Sequence, residues 1–223
     1  MPETTDTPQT TETTKKTATR SAQDTRIANN IADVRTLVTQ AQADSALVAK
    51  LTTRGFTAAR LTALSALVDA AQSAFDARQQ AMGAQQGAVA LTQSAYQETY
   101  KLFVELRDST RLAYLTDSSV WLALGAVGRI PTDSDKFQTA VRAALTNAAS
   151  EPYKTALATV GCTDAKHAAL TASLKAHEAS RVVSDTAKRD ALTATETRNS
   201  TYKALGTTLL PLKRTLKLIE KSG

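Results

Sequence analysis

Two histidines, one cysteine and scattered carboxylates are the residues of this 223-residue chain that could serve catalysis or hold a metal. His167 and His177 are ten residues apart, which separates them by about 80° around one helix, so they cannot form the i, i+4 pair that grips zinc. Cys162 and His167 are closer, but zinc needs two further ligands and none clusters nearby in sequence. Glu98 and Glu105 share a face at about 10 Å, too far to share a ligand, and no Glu-x-x-His motif accompanies them. Asp69 and Asp76 repeat that spacing and read as a solvated face. The chain carries no phosphate-binding loop, no Gly-x-Gly-x-x-Gly and no nucleophile elbow. The expectation is a non-enzymatic protein with no catalytic residue, metal, cofactor or small-molecule substrate.

Two stretches could instead make contacts. Val120 to Gly128 is the most apolar segment and holds the single Trp121 with Leu122 and Leu124. It reads either as a linker that buries itself or as a tip that meets a membrane, a partner or a second copy. Nine residues cannot span a bilayer, which takes about 20. The second stretch, Leu209 to Ile219, is amphipathic, and Lys213, Arg214 and Lys217 make it basic. From Lys203 to Lys221 five basic residues face Glu220 alone, within a chain of net charge +6. Such an end can attract nucleic acid or an anionic membrane, or simply complement a helix C-terminus.

The elements that carry these residues are helices. Eight glycines and five prolines leave few turns, and aromatics at 4% leave Ala and Leu to build thin cores. The architecture expected is an all-α, elongated helical bundle written twice. GFTAARLTALSA at 55–66 matches GCTDAKHAALTA at 161–172, an offset of 106. Ser94, Tyr96, Leu106 and Leu112 fall on Ser200, Tyr202, Leu212 and Leu218 at the same offset. One inserted residue upstream brings Val34-Arg35 onto Val141-Arg142. Each copy reads as a short helix, a glycine break and a threonine-capped long helix. The breaks are Gly55 and Gly161, and the caps Thr57 and Thr163. Repeat 1 covers 21–116, with helices over about 22–53 and 57–114. An apolar linker covers 117–133. Repeat 2 covers 134–223, with helices over about 134–159, split near Pro152, and 163–221, kinked at Pro211.

In the first long helix Leu61, Val68, Phe75, Met82, Val89, Tyr96 and Phe103 recur every seven residues, which predicts coiled-coil-like packing. Mid-helix Gly83 and Gly87 suggest a kink or a very close neighbour. The second long helix looks less regular, being polar over 175–191. Residues 1–20 hold nine threonines and none of the large apolar residues needed for a core, so disorder is expected there.

The function expected is a helical scaffold or interaction protein. Short helices cannot cover long ones, so the long ones must cover each other or a second copy, and self-association is expected. The alternative is a peripheral membrane- or nucleic-acid-binding protein that uses the basic end or the Trp121 segment. With no leader pattern and no apolar span, the default location is cytoplasmic.

Overall fold

The computed structural model describes residues 10–221, with side chains from residue 22 onward. Among these residues it is all-helical, with no strand and seven helices: α1 (Thr10–Ala43), α2 (Ser45–Thr52), α3 (Ala58–Ala113), α4 (Ser118–Ala123), α5 (Ser134–Ala148), α6 (Tyr153–Thr159) and α7 (Asp164–Lys221). Of the threonine-rich tail expected to be disordered, residues 1–9 lie outside the described residues, as do the side chains of 10–21. The backbone of α1 starts at Thr10. Among the described residues no helix is long and apolar enough to cross a membrane.

The helix expected over 22–53 is two helices. Asp44 interrupts it with extended backbone, and its carboxylate accepts from the amides of Ala46 and Leu47 at 2.9 and 3.0 Å. That is an N-cap, and it restarts the chain as α2. The second short helix is also divided, with α5 ending at Ala148 and Pro152 standing at the N-cap of α6. Helix α7 runs on through Pro211.

The breaks before α3 and α7 are built alike. Gly55 and Gly161 adopt φ of +86° and +85°, a conformation open to glycine at little cost. The Phe56 amide donates to the Leu51 carbonyl at 2.9 Å, and the Gly55 amide to Thr52 at 3.0 Å. At offset 106 the Cys162 amide donates to Leu157 at 3.0 Å, and Gly161 to Ala158 at 3.1 Å. Both are Schellman closures, which satisfy carbonyls left open at a helix end. Leu51 and Leu157 anchor them in the core. The Thr57 hydroxyl accepts from the Arg60 amide at 3.4 Å, a long cap.

The chain forms two compact units, Met1–Ala81 with Leu192–Gly223, and Met82–Ala191. The first combines α1, α2, the start of α3 and the end of α7. Its core joins Ile31, Val38, Leu51, Leu64, Leu205 and Leu212. The second combines the end of α3, α4, α5, α6 and the start of α7, around Phe103, Leu106, Leu124, Phe137 and Leu157. Each large aliphatic side chain so buried contributes about 2 kcal/mol.

The two long helices pack together. On α7 a buried residue recurs every seven positions: Leu170, His177, Ser184, Ala191, Arg198, Leu205, Leu212 and Ile219. The helix that looks irregular in sequence is thus regular in burial, because polar residues occupy its inner stripe. On α3 the expected stripe is only partly covered. Val89 is 43% exposed, whereas Arg78, Thr99 and Leu106, on the neighbouring register through Leu64 and Ala71, are buried.

Gly83 and Gly87 do not mark a close neighbour, since a Cβ added at either meets nothing within 4 Å. Each leaves α3 without compensation, so Gly83→Ala and Gly87→Ala should each raise unfolding free energy by about 1 kcal/mol in urea denaturation. Gly161→Ala, at positive φ, should lower it by about 1–2 kcal/mol.

Candidate functional site

Polar side chains on the inner stripe must be matched, because an unpaired buried group costs more than its bond returns. In the second unit the Thr99 hydroxyl donates to the Ala95 carbonyl at 2.8 Å and therefore accepts from Ser173 Oγ, also at 2.8 Å. Seven residues earlier on α3 and seven later on α7, Thr92 Oγ1 lies 2.9 Å from the Ala88 carbonyl and 3.0 Å from that of Ser180. Equal steps in opposite directions make this pairing antiparallel.

His177 lies beside this seam, 1% exposed, with Tyr96 and Phe137 against its ring at 5.6 and 6.0 Å between centroids. Burial pushes its pKa down, Arg181 adds to the shift and Glu178 opposes it. Burial thus disfavours the charged imidazolium. Around it Arg142 pairs with Glu178 at 2.5 Å and Arg181 pairs with Asp135, tying α5 to α7.

In the first unit the seam carries charge. Arg78 and Arg198 each donate to one oxygen of Asp24 at 2.6 Å, and the two guanidinium side chains are 8% and 4% exposed. Arg198 also bonds Asn199 Oδ1 at 2.7 Å through Nη2. Burial and the neighbouring Arg78 push the Arg198 pKa down, against the pull of Asp24. Nothing in the sequence flags this cluster, because Asp24 is 54 and 174 residues from its partners.

The Trp121 segment is folded into the second unit. Asp117 caps α4, accepting from Val120 at 3.2 Å. Gly125 and the Ala126 amide, which donates to Trp121 O at 2.6 Å, close α4 as Gly55 closes α2. The Trp121 indole donates to Tyr114 O at 2.7 Å, Asn147 to Ala123 O at 2.6 Å, and Arg107 to Gly128 O at 2.6 Å. Leu124 is fully buried and so offers no surface as it stands, Trp121 is half-buried, and Leu122 is 71% exposed. At the basic end Lys213, Arg214 and Lys217 are exposed, while Leu209, Leu212 and Ile219 are taken up by the core.

Cys162 and His167 line one pocket of about 110 Å³ with Lys154, Leu157 and Asp164. His167 Nε2 lies 2.9 Å from the Leu145 carbonyl, so that nitrogen carries the proton. Burial pushes the Cys162 thiol up, away from the reactive thiolate. Among the described residues no three His, Cys, Asp or Glu side chains group to hold a metal ion.

No family model, curated protein or solved structure matches the chain.

Two tests follow from the seam. Asp24→Asn leaves two buried guanidinium groups without their counter-charge and should cost about 3–5 kcal/mol in chemical denaturation. Because the folded pKa of His177 is depressed, the unfolded chain binds the extra proton. Stability is therefore retained above the ordinary histidine pKa of about 6.5 and lost as pH falls below it. Between pH 7 and pH 5 the native chain should lose more stability than His177→Leu.

Proposed function

We propose that the chain is a non-enzymatic helical scaffold, internally duplicated, that self-associates through the paired middle of its long helices. The observation that carries this is a set of exposed aliphatic side chains at one level of the helix pair in the second unit. Val89 and Leu91 of α3 are 43% and 66% exposed, and Val182 and Val183 of α7 are 68% and 56% exposed. All four lie within three residues of the Thr92–Ser180 hydrogen bond, so they stand at one level of the helix pair. Val89 and Leu91 lie about 200° apart around α3, and Val182 and Val183 about 100° apart around α7, so apolar groups are offered on more than one side of the pair. Exposed aliphatics concentrated at one level support a contact there. Association of identical chains at this level suits a twofold interface, in which each copy offers the same face.

The duplication rests on more than sequence identity. The two Schellman closures repeat at offset 106, and Val34, Val38 and Ala41 are buried as are Val141, Leu145 and Ala148, at offset 107. Each unit takes its short helices from one repeat and half a long helix from each. The seven-residue burial on α7 supports the coiled-coil-like reading of the pair.

Sedimentation equilibrium tests the reading. The native chain should give a mass at least double 23.7 kDa as concentration rises. Leu91→Glu with Val182→Glu should return it to 23.7 kDa with unchanged helicity and melting temperature. A native chain that stays monomeric up to its solubility limit would contradict the proposal.

A further inference from the structure

The two repeats differ at one place in a way that points to a ligand. In the second unit Phe137 of α5 packs on Tyr96 of α3, with ring centroids 4.8 Å apart, and Tyr100 stacks on Phe137 at 6.4 Å with planes 25° apart. The offset of 107 on the short helix and 106 on the long one carry these positions to Asn30, Tyr202 and Gly206 in the first unit. The correspondence holds in space, because Asn30 Nδ2 donates to the Tyr202 hydroxyl at 2.7 Å where Phe137 meets Tyr96. Two of the three rings are missing. In their place is a groove of about 250 Å³.

Its lining is mixed, with Asp33 and Lys213 standing in it beside apolar side chains. Val34 and Leu209, 5% and 6% exposed, give it an apolar floor. Tyr202 and Asn30 also line it, and the Asn30 amide, which gives one N–H to the Tyr202 hydroxyl, keeps a second N–H and its oxygen for a guest. A Cβ added at Gly206 meets nothing within 4 Å, so the space above α7 is open. For scale, an apolar cavity of about 150 Å³ is enough to take up benzene.

We infer that the groove between α1 and α7, whose lining includes Asn30, Val34, Tyr202, Gly206 and Leu209, binds a small phenol, its ring lying over Gly206 where Tyr100 lies in the other unit. The hydroxyl of the guest bonds the Asn30 amide, the group that replaces the ring of Phe137. This inference rests on the duplication proposed above.

The test uses p-cresol as probe and the ¹⁵N–¹H resonance of Gly206 as reporter, in the full chain. Saturable movement of that resonance is expected, with affinity retained in Gly206→Ala and lowered at least tenfold in the double variant Gly206→Tyr with Asn30→Phe. The double variant's binding is followed on the amides of Val34 and Leu209. Absence of saturable movement in the native chain, or p-cresol binding equally well to the double variant, overturns the inference. The melting temperature of the double variant reports on the duplication separately. A value at or above that of Gly206→Ala means the restored rings pack as Tyr100 and Phe137 do. If p-cresol then fails to bind, the site is wrong and the duplication stands. A marked fall in melting temperature breaks the equivalence of positions. The site then stands only if p-cresol still saturates the native chain and Gly206→Ala, and falls if it does not.

Discussion

Helices of 56 and 58 residues present more inner surface than the short helices of either repeat can cover, so α3 and α7 must cover each other. That constraint governs what the inner stripe can contain. Polar groups on it find partners on the facing helix, on their own backbone, or on a side chain that reaches in, whereas His177 Nδ1 and Arg78 Nε are buried without one. Thr99 and Ser173 satisfy each other, Thr92 reaches the Ser180 carbonyl, and Asp24 reaches in to Arg78 and Arg198. Sliding one helix by a turn would orphan these groups at about 1–3 kcal/mol apiece, whereas aliphatic side chains alone would tolerate the slip better. Polar contacts therefore set register, and the two apolar clusters supply most of the stability.

The two units divide this work unequally. In the first unit the seam positions Arg78 and Arg198 are large, charged and bridged. The positions at offset 106 in the second unit, Ser184 and Thr92, are small, and Thr92 bonds the Ala88 and Ser180 carbonyls. Conversely, the second unit fills the space beside its seam with aromatic rings that the first unit lacks. The units can differ in this way because each completes its own core, so a loss of volume in one need not disturb the other.

Much of the helical order was legible in the sequence, since it depends on local chemistry. Gly55 and Gly161 stop helices because their φ is positive, and threonine follows each of them. The break at Asp44 escaped the periodicity, although Asp before Ser-Ala-Leu-Val is a capping signal that could have shown it. The inner stripe of α7 was hidden for a different reason. Apolar periodicity cannot find a stripe made of His177, Ser184 and Arg198, whose burial depends on partners far away in sequence. The Asp24 cluster and the Asn30–Tyr202 contact are long-range in the same sense. Trp121 was visible as unusual, but its tie to the Tyr114 carbonyl depends on how α4 folds back.

The central claim is that the long helices pair antiparallel within one chain, in a register set by matched polar contacts. It is tested most directly by disulfide trapping. Cys162→Ser removes the native thiol, and Thr99→Cys with Ser173→Cys then places two thiols where hydroxyl oxygens now lie 2.8 Å apart. Under mild oxidation that pair should close within the monomer, seen as faster migration on a non-reducing gel. The pair Thr99→Cys with Ser180→Cys, displaced by seven residues, should not. Equal closure of both pairs, or closure only between chains, would contradict the account.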